Sequence, residues 1–317
     1  MYLYISKMVK NNMLNYIILF GLAGVGGLLY NRFQEKQNKN KKQPEYELLE
    51  KYMASHDEEL KIEKPILWIY IPQVYNSRKW ENFYSRSNTN LNTPYLSLTI
   101  ESIVKHCKDS FQICFIDETS FKKLIPDWKI DLTTVGDPVK DKLIYLGILK
   151  LIYLYGGYLV PKSFLCFKDL NNLLTDKTIS FYNNQNKADS NWIGAPRNSD
   201  VIYKFINYME GVISSDYTQT SIIEDLRGKW IQKNNNKIQI YSNKLIGRTV
   251  NSGKPLFIEE ILSTTANFKL DPESYGIYLN DEEILKRRYY NWFCYLSPNE
   301  ILESQLYLVN YFNKALQ

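Results

Sequence analysis

The stretch Asp137–Leu170, DPVKDKLIYLGILKLIYLYGGYLVPKSFLCFKDL, constrains the fold of this chain more than any other segment. From Asp141 to Tyr155 apolar residues fall on nearly every side, at Leu143, Ile144, Leu146, Ile148, Leu149, Leu151, Ile152 and Leu154. That spacing predicts a helix buried inside a sizeable domain. Gly156-Gly157 ends it, because glycine accepts the left-handed backbone that a helix stop requires. Tyr158-Leu159-Val160 then reads as a short buried strand, closed by Pro161, which has no N–H to give to a ladder. The chain has 317 residues, 44% of them hydrophobic and 15% aromatic, enough for one large core or for one core and a small lobe.

The flanking sequence extends the pattern. Pro65–Pro72, PILWIYIP, is a continuous apolar run between prolines, as expected of a first buried strand. Tyr95–Cys107 suits a helix, and Phe111–Asp117, FQICFID, suits a second strand that ends in an acid. A strand, helix, strand order implies parallel strands covered by helices. Ligands of open α/β sheets gather at the carboxyl ends of the strands, here Gln73–Tyr75, Asp117-Glu118 and Pro161–Ser163. Beyond Leu170, helices are expected at Val201–Ile213 and Ile222–Ile231 and a polar glycine-containing loop at Gly247–Pro255. Glu282–Tyr290 and Glu300–Leu316 read as helical, with Tyr and Leu facing the core.

The helix, the Tyr155-Gly156-Gly157 stop and the strand resemble the core of GT-A glycosyltransferases of the DXD mannosyltransferase and capsular polysaccharide synthesis type. The resemblance covers roughly Ile66–Leu170; after that a weaker likeness remains in Trp192–Arg197, WIGAPR, which looks like the family's strand before a helix near the acceptor. It implies an α/β fold with a mixed sheet covered by helices. It also implies a D-x-D pair that holds manganese or magnesium against the diphosphate of a UDP- or GDP-sugar. Laid on this chain, the two acids fall on Pro161 and Ser163 with Lys162 between them, and the family's helix Asp and Arg fall on Tyr145 and Ile148. No carboxylate is left at those positions, so no metal cofactor is expected, manganese or magnesium returning only if the register differs. A metal and its ligands supply several kcal/mol at the transition state, and each ~1.4 kcal/mol is about tenfold in rate, so a degenerate transferase is expected.

What the resemblance leaves for binding and catalysis is a short set. Lys162, as a fixed cation aimed at the diphosphate, with Asp141 as a displaced polar group, would carry any remaining metal-independent hexosyl transfer. Gln73, Tyr75, Asp117, Gly156, Gly157, Lys162 and Ser163 would contact the donor. Each has a plainer reading: Lys162 as a solvated loop lysine, and Asp117 as the cap of the helix that DETSFKKL begins. Asp169, Asp189, Glu224 and Asp225 are further carboxylates in reach of a base's role, equally explained as caps or surface groups. Trp192 and Trp292 can stack on a sugar or fill the core. A scaffold that keeps the fold for interactions, of viral or membrane-surface type, is the other class.

Residues 1–13 read as a short tail and residues 14–30, LNYIILFGLAGVGGLLY, as an uncharged run of about 17 residues at the lower limit for a single-pass membrane helix. Residues 31–64 form a polar linker with a short helix expected at Glu45–Ala54, and residues 65–317 the GT-A-like domain, expected to fold alone from near Lys64. Arg32, Lys36, Lys39, Lys41 and Lys42 outnumber Lys7 and Lys10, which favours the large domain on the cytosolic side. The formal charge of +5 is dispersed, and nucleic acid is not an expected partner. Lys122-Lys123 and Lys286-Arg287-Arg288 read as solvated faces, the second within reach of a phosphate if it lies at a pocket mouth. Cys107, Cys114, Cys166 and Cys294 have no zinc spacing, and with only His56 and His106 no histidine metal site is expected. Cys114 and Cys166 read as buried thiols.

Overall fold

The structure is a computed structural model that describes residues 64–72, 93–182, 187–215, 223–265 and 267–317, all within one compact unit, Leu48–Gln317. The expected membrane run, the linker helix, and the candidate donor residues Gln73 and Tyr75 lie outside the described residues. No helix of the described residues is long and apolar enough to cross a membrane.

The apolar run between the two prolines forms β1 (Ile66–Tyr70), followed by α1 (Leu96–Cys107) and β2 (Gln112–Ile116). A short α2 (Ser120–Leu124) precedes α3 (Val139–Tyr155), and the glycine corner leads into β3 (Gly157–Leu159). After β4 (Phe164–Cys166) come β5 (Thr178–Tyr182), β6 (Ala188–Ala195), α4 (Asp200–Ser215), α5 (Ile223–Lys233) and β7 (Ile238–Tyr241). The remainder holds α6 (Ile258–Ile261), β8 (Gly276–Tyr278), α7 (Asp281–Lys286), α8 (Pro298–Leu302) and α9 (Val309–Leu316). Six strands make one mixed sheet in the order β2-β1-β3-β6-β5-β7, while β4 and β8 form a separate antiparallel pair. β1 runs parallel to β2 and β3, β6 runs antiparallel to β3 and β5, and β7 is parallel to β5.

Both faces of β1 are covered, which explains why it reads as an unbroken apolar run. Leu67, Ile69, Ile113 and Phe115 point into a core shared with α1, β4, β8 and α9. Their neighbours Ile66, Trp68, Cys114 and Ile116 point into a second core with α3, α4 and α5. Helix α3 is buried along its length because it packs between this sheet face and α4. At its end Gly156 adopts φ 74° and its N–H closes on the Ile152 carbonyl at 2.8 Å.

Two terminal expectations are corrected. Helix α7 stops at Lys286, Arg287 turning to an extended backbone, so 287–290 is not helical. The last segment is two helices, α8 and α9, with Leu308 buried and Tyr311 packed on the core, whereas Tyr289 in the segment before faces outward at 80% exposure. All four cysteines are free and buried.

Candidate functional site

The carboxyl ends of the parallel strands open into a cleft of about 400 Å³. Its walls come from Tyr70 at the end of β1 and Pro72 beyond it, Glu118 after β2, and Leu159–Ser163 from the last residue of β3 onward. The amino-terminal ends of α3 (Asp137, Lys140, Asp141), α5 (Ile223, Glu224, Arg227) and α7 (Asn280, Asp281, Glu282) complete it, with Asn191 and Tyr278 beneath.

Lys162 stands at the tip of a tight turn. The Phe164 N–H closes it on the Pro161 carbonyl at 3.1 Å, and Thr99 of α1 donates to the Lys162 carbonyl at 2.6 Å. On either side, Val160 donates to the Trp68 carbonyl at 3.0 Å, and the Ser163 carbonyl accepts from Leu279 at 3.0 Å. The backbone of this turn is therefore anchored to β1, α1 and β8. Its ammonium reaches across the cleft to the Asp281 carboxylate at 3.1 Å, both side chains being largely sheltered (21% and 14% exposed). A lysine so held is not a freely solvated one.

The other two cations of the cleft are also paired, Lys140 with Glu118 at 3.7 Å and Arg227 with Glu224 at 3.2 Å. Arg227 lies over the ring of Tyr145, 4.3 Å from its centre, in a cation–π contact. Tyr145 is the position to which the resemblance assigns the family's helix acid; here a phenol supports an arginine that arrives from α5. Nothing in the sequence singled out Arg227, because on an amphipathic helix it reads as an ordinary surface cation. Asp281 and Glu282 were equally hidden: they lie far along the chain from Lys162, and only the β4–β8 pairing brings them to it.

Six carboxylates line the cleft (Glu118, Asp137, Asp141, Glu224, Asp281, Glu282) against three cations. Among the described residues no ion pair engages Asp137, Asp141 or Glu282. Burial first, then Asp137 and Glu224, raise the Asp141 carboxyl above its ordinary value against the pull of Arg227 and Lys140. Glu282 is raised by burial, then by Asp281 and Glu224. Burial, then Glu118, push the Tyr70 phenol far above its usual range.

The sign of the Asp141 effect makes a prediction. A carboxyl raised on folding is bound to its proton more tightly in the folded state. The stability it contributes is full below its unfolded value, ~3.9, and is lost as pH rises through the folded value. Asp141→Asn is therefore expected to raise the urea midpoint at about pH 7 and leave it unchanged at about pH 3; an equal shift at both pH values would contradict the charge crowding.

The other sequence candidates divide. Asp117 does not line the cleft: its Oδ1 accepts from the Thr119 and Ser120 N–H groups at 2.9 Å each, capping α2, and the neighbouring Glu118 takes the place at the wall. Gly156 and Gly157 shape the backbone behind the cleft without lining it. Ser163 does line it. Asp169 caps a short 3₁₀ turn, Asp189 is buried beside Asn191, and Trp192 is core at 3% exposure.

The family's metal does not fit these residues: proline offers no ligand, and a lysine paired to a carboxylate occupies the position between the expected acids. Among the described residues no group of three or more His, Cys, Asp or Glu is placed to hold a metal ion. No protein-family model matches the chain, and no curated protein matches it in sequence.

Proposed function

We propose that the chain is a membrane-anchored, GT-A-like relative of the sugar-nucleotide transferases in which metal-dependent donor chemistry has been lost and binding in the cleft remains. The observation that carries this reading is the Lys162–Asp281 ion pair at 3.1 Å, standing where relatives are expected to clamp a divalent ion between acids. A side-chain ammonium fills the need for positive charge once, permanently, and here its charge is already offset by Asp281, which leaves less of it for a diphosphate. The excess of carboxylates over cations adds repulsion against a ligand carrying two phosphates. Carboxylates, Asn191 and Tyr278 suit a hydroxyl-rich, uncharged ligand instead.

The position of Lys162 in the cleft favours one second reading, a transferase in which the lysine does the metal's work on the departing diphosphate. Release of nucleoside diphosphate from UDP- and GDP-sugars by the full chain separates the two. The degenerate reading predicts none above background, with or without manganese. Metal-free turnover that disappears in Lys162→Ala would establish the second reading, and metal-stimulated turnover would defeat both.

A further inference from the structure

Of the six large apolar side chains exposed among the described residues, Tyr289, Trp292 and Tyr295 lie within one short segment after α7, and Phe257 joins them. Glu259 of α6 pairs with Arg287, which brings the end of α6 that carries Phe257, 45% exposed, alongside that segment. The indole N–H of Trp292 donates to the Tyr289 carbonyl at 3.0 Å, so the aromatic edge is held in place rather than splayed. Residues 286–295, KRRYYNWFCY, contain three cations and no carboxylate. Arg287 is tied to Glu259 and Glu283, and Arg288 makes no ion pair among the described residues.

We propose that this aromatic and basic face docks on an anionic lipid surface. Tyrosine and tryptophan side chains, apolar in body and polar at one end, favour the headgroup region of a bilayer, and lysine and arginine beside them meet lipid phosphate and carboxylate. The exposed large side chains of this face are all aromatic, as an interfacial footing requires. Helix α7 joins the face to the cleft: Asp281 and Glu282 line the cleft, and Lys286 is one turn and a half further on, about 8 Å along the axis. Docking therefore sets the α7 wall of the cleft close to the docked face. The inference rests on the proposed anchor at 14–30 only in assuming that a membrane is near.

Because every native cysteine is buried, a cysteine introduced at position 289 accepts a polarity-sensitive fluorophore selectively. The full chain with Tyr289→Cys, reconstituted in phosphatidylcholine vesicles with and without about one-third phosphatidylserine, is compared with Tyr203→Cys on α4 as the control. The expected result is a blue shift and protection from an aqueous quencher at 289 only, and only with the anionic lipid. Lys286→Glu with Arg288→Glu lowers the docked fraction, since each cation lost at such a surface is worth about fivefold. Chain that floats with vesicles but leaves the label at 289 in water overturns the docking face while sparing the anchor. Chain that does not float overturns both. A shift equal in neutral vesicles overturns the charge-directed part.

Discussion

Gly157→Ala is expected to cost about 4 kcal/mol or more and to leave little folded protein. Gly157 holds φ 100°, a backbone state that L residues rarely adopt, and a Cβ there would stand 2.3 Å from the Ile66 carbonyl oxygen. That oxygen belongs to the backbone of β1, which is paired to β2 on one side and β3 on the other, so it cannot swing aside as a side-chain tip can. Backbone strain of 1–3 kcal/mol and overpacking of similar size add at one site, about 4 in all. Gly211→Ala is the opposite control: a Cβ meets nothing within 4 Å in helix α4, and alanine is expected to stabilise by roughly 0.5–1 kcal/mol. Chemical denaturation of the two variants reads both signs. A Gly157→Ala chain within 1 kcal/mol of wild type would mean that the β1–β3 approach is wrongly described.

Trp68→Ala is the second large loss, about 3–5 kcal/mol. The side chain is fully buried, packs near Tyr155 at 6.2 Å between ring centres, and donates its indole N–H to the Gly156 carbonyl at 2.9 Å. It thus joins β1 to the glycine corner from which β3 and the Lys162 turn depart. Truncation opens a cavity and also orphans that carbonyl. Trp68→Phe keeps most of the volume and loses the hydrogen bond, so roughly 1–3 kcal/mol is expected. Equal losses in the two variants would show that the hydrogen bond, not the packing, dominates.

The parts of the fold that sequence disclosed are those with one-dimensional signatures. Helix α3 and strand β1 are apolar on all sides because they are covered on all sides, and the glycines after Tyr155 mark a backbone that only glycine tolerates. Helix α1 and strand β2 were legible from their apolar residues, and α4 and α5 from an apolar stripe on one face. The mixed half of the sheet was less so, since whether β6 lies antiparallel to β3 depends on pairing between distant segments. The cleft was half legible. Its β3 edge followed from the motif, whereas Asp281, Glu282, Glu224 and Arg227 arrive from late helices by tertiary packing and carry no local mark. Asp117 illustrates how two readings of an acid at a strand end compete: hydrogen bonds from the N–H groups of Thr119, just before α2, and of Ser120, its first residue, account for it as a cap.

Calorimetric titration of the full chain with UDP- and GDP-sugars, with and without manganese, addresses the central claim that the Lys162 ammonium has replaced a metal. The account predicts that neither sugar nucleotide binds appreciably and that manganese changes nothing, because the ammonium is already held by Asp281 and carboxylates outnumber cations in the cleft. Manganese that tightens binding by tenfold or more, ~1.4 kcal/mol, would contradict it and return the cleft to the metal-dependent transferases.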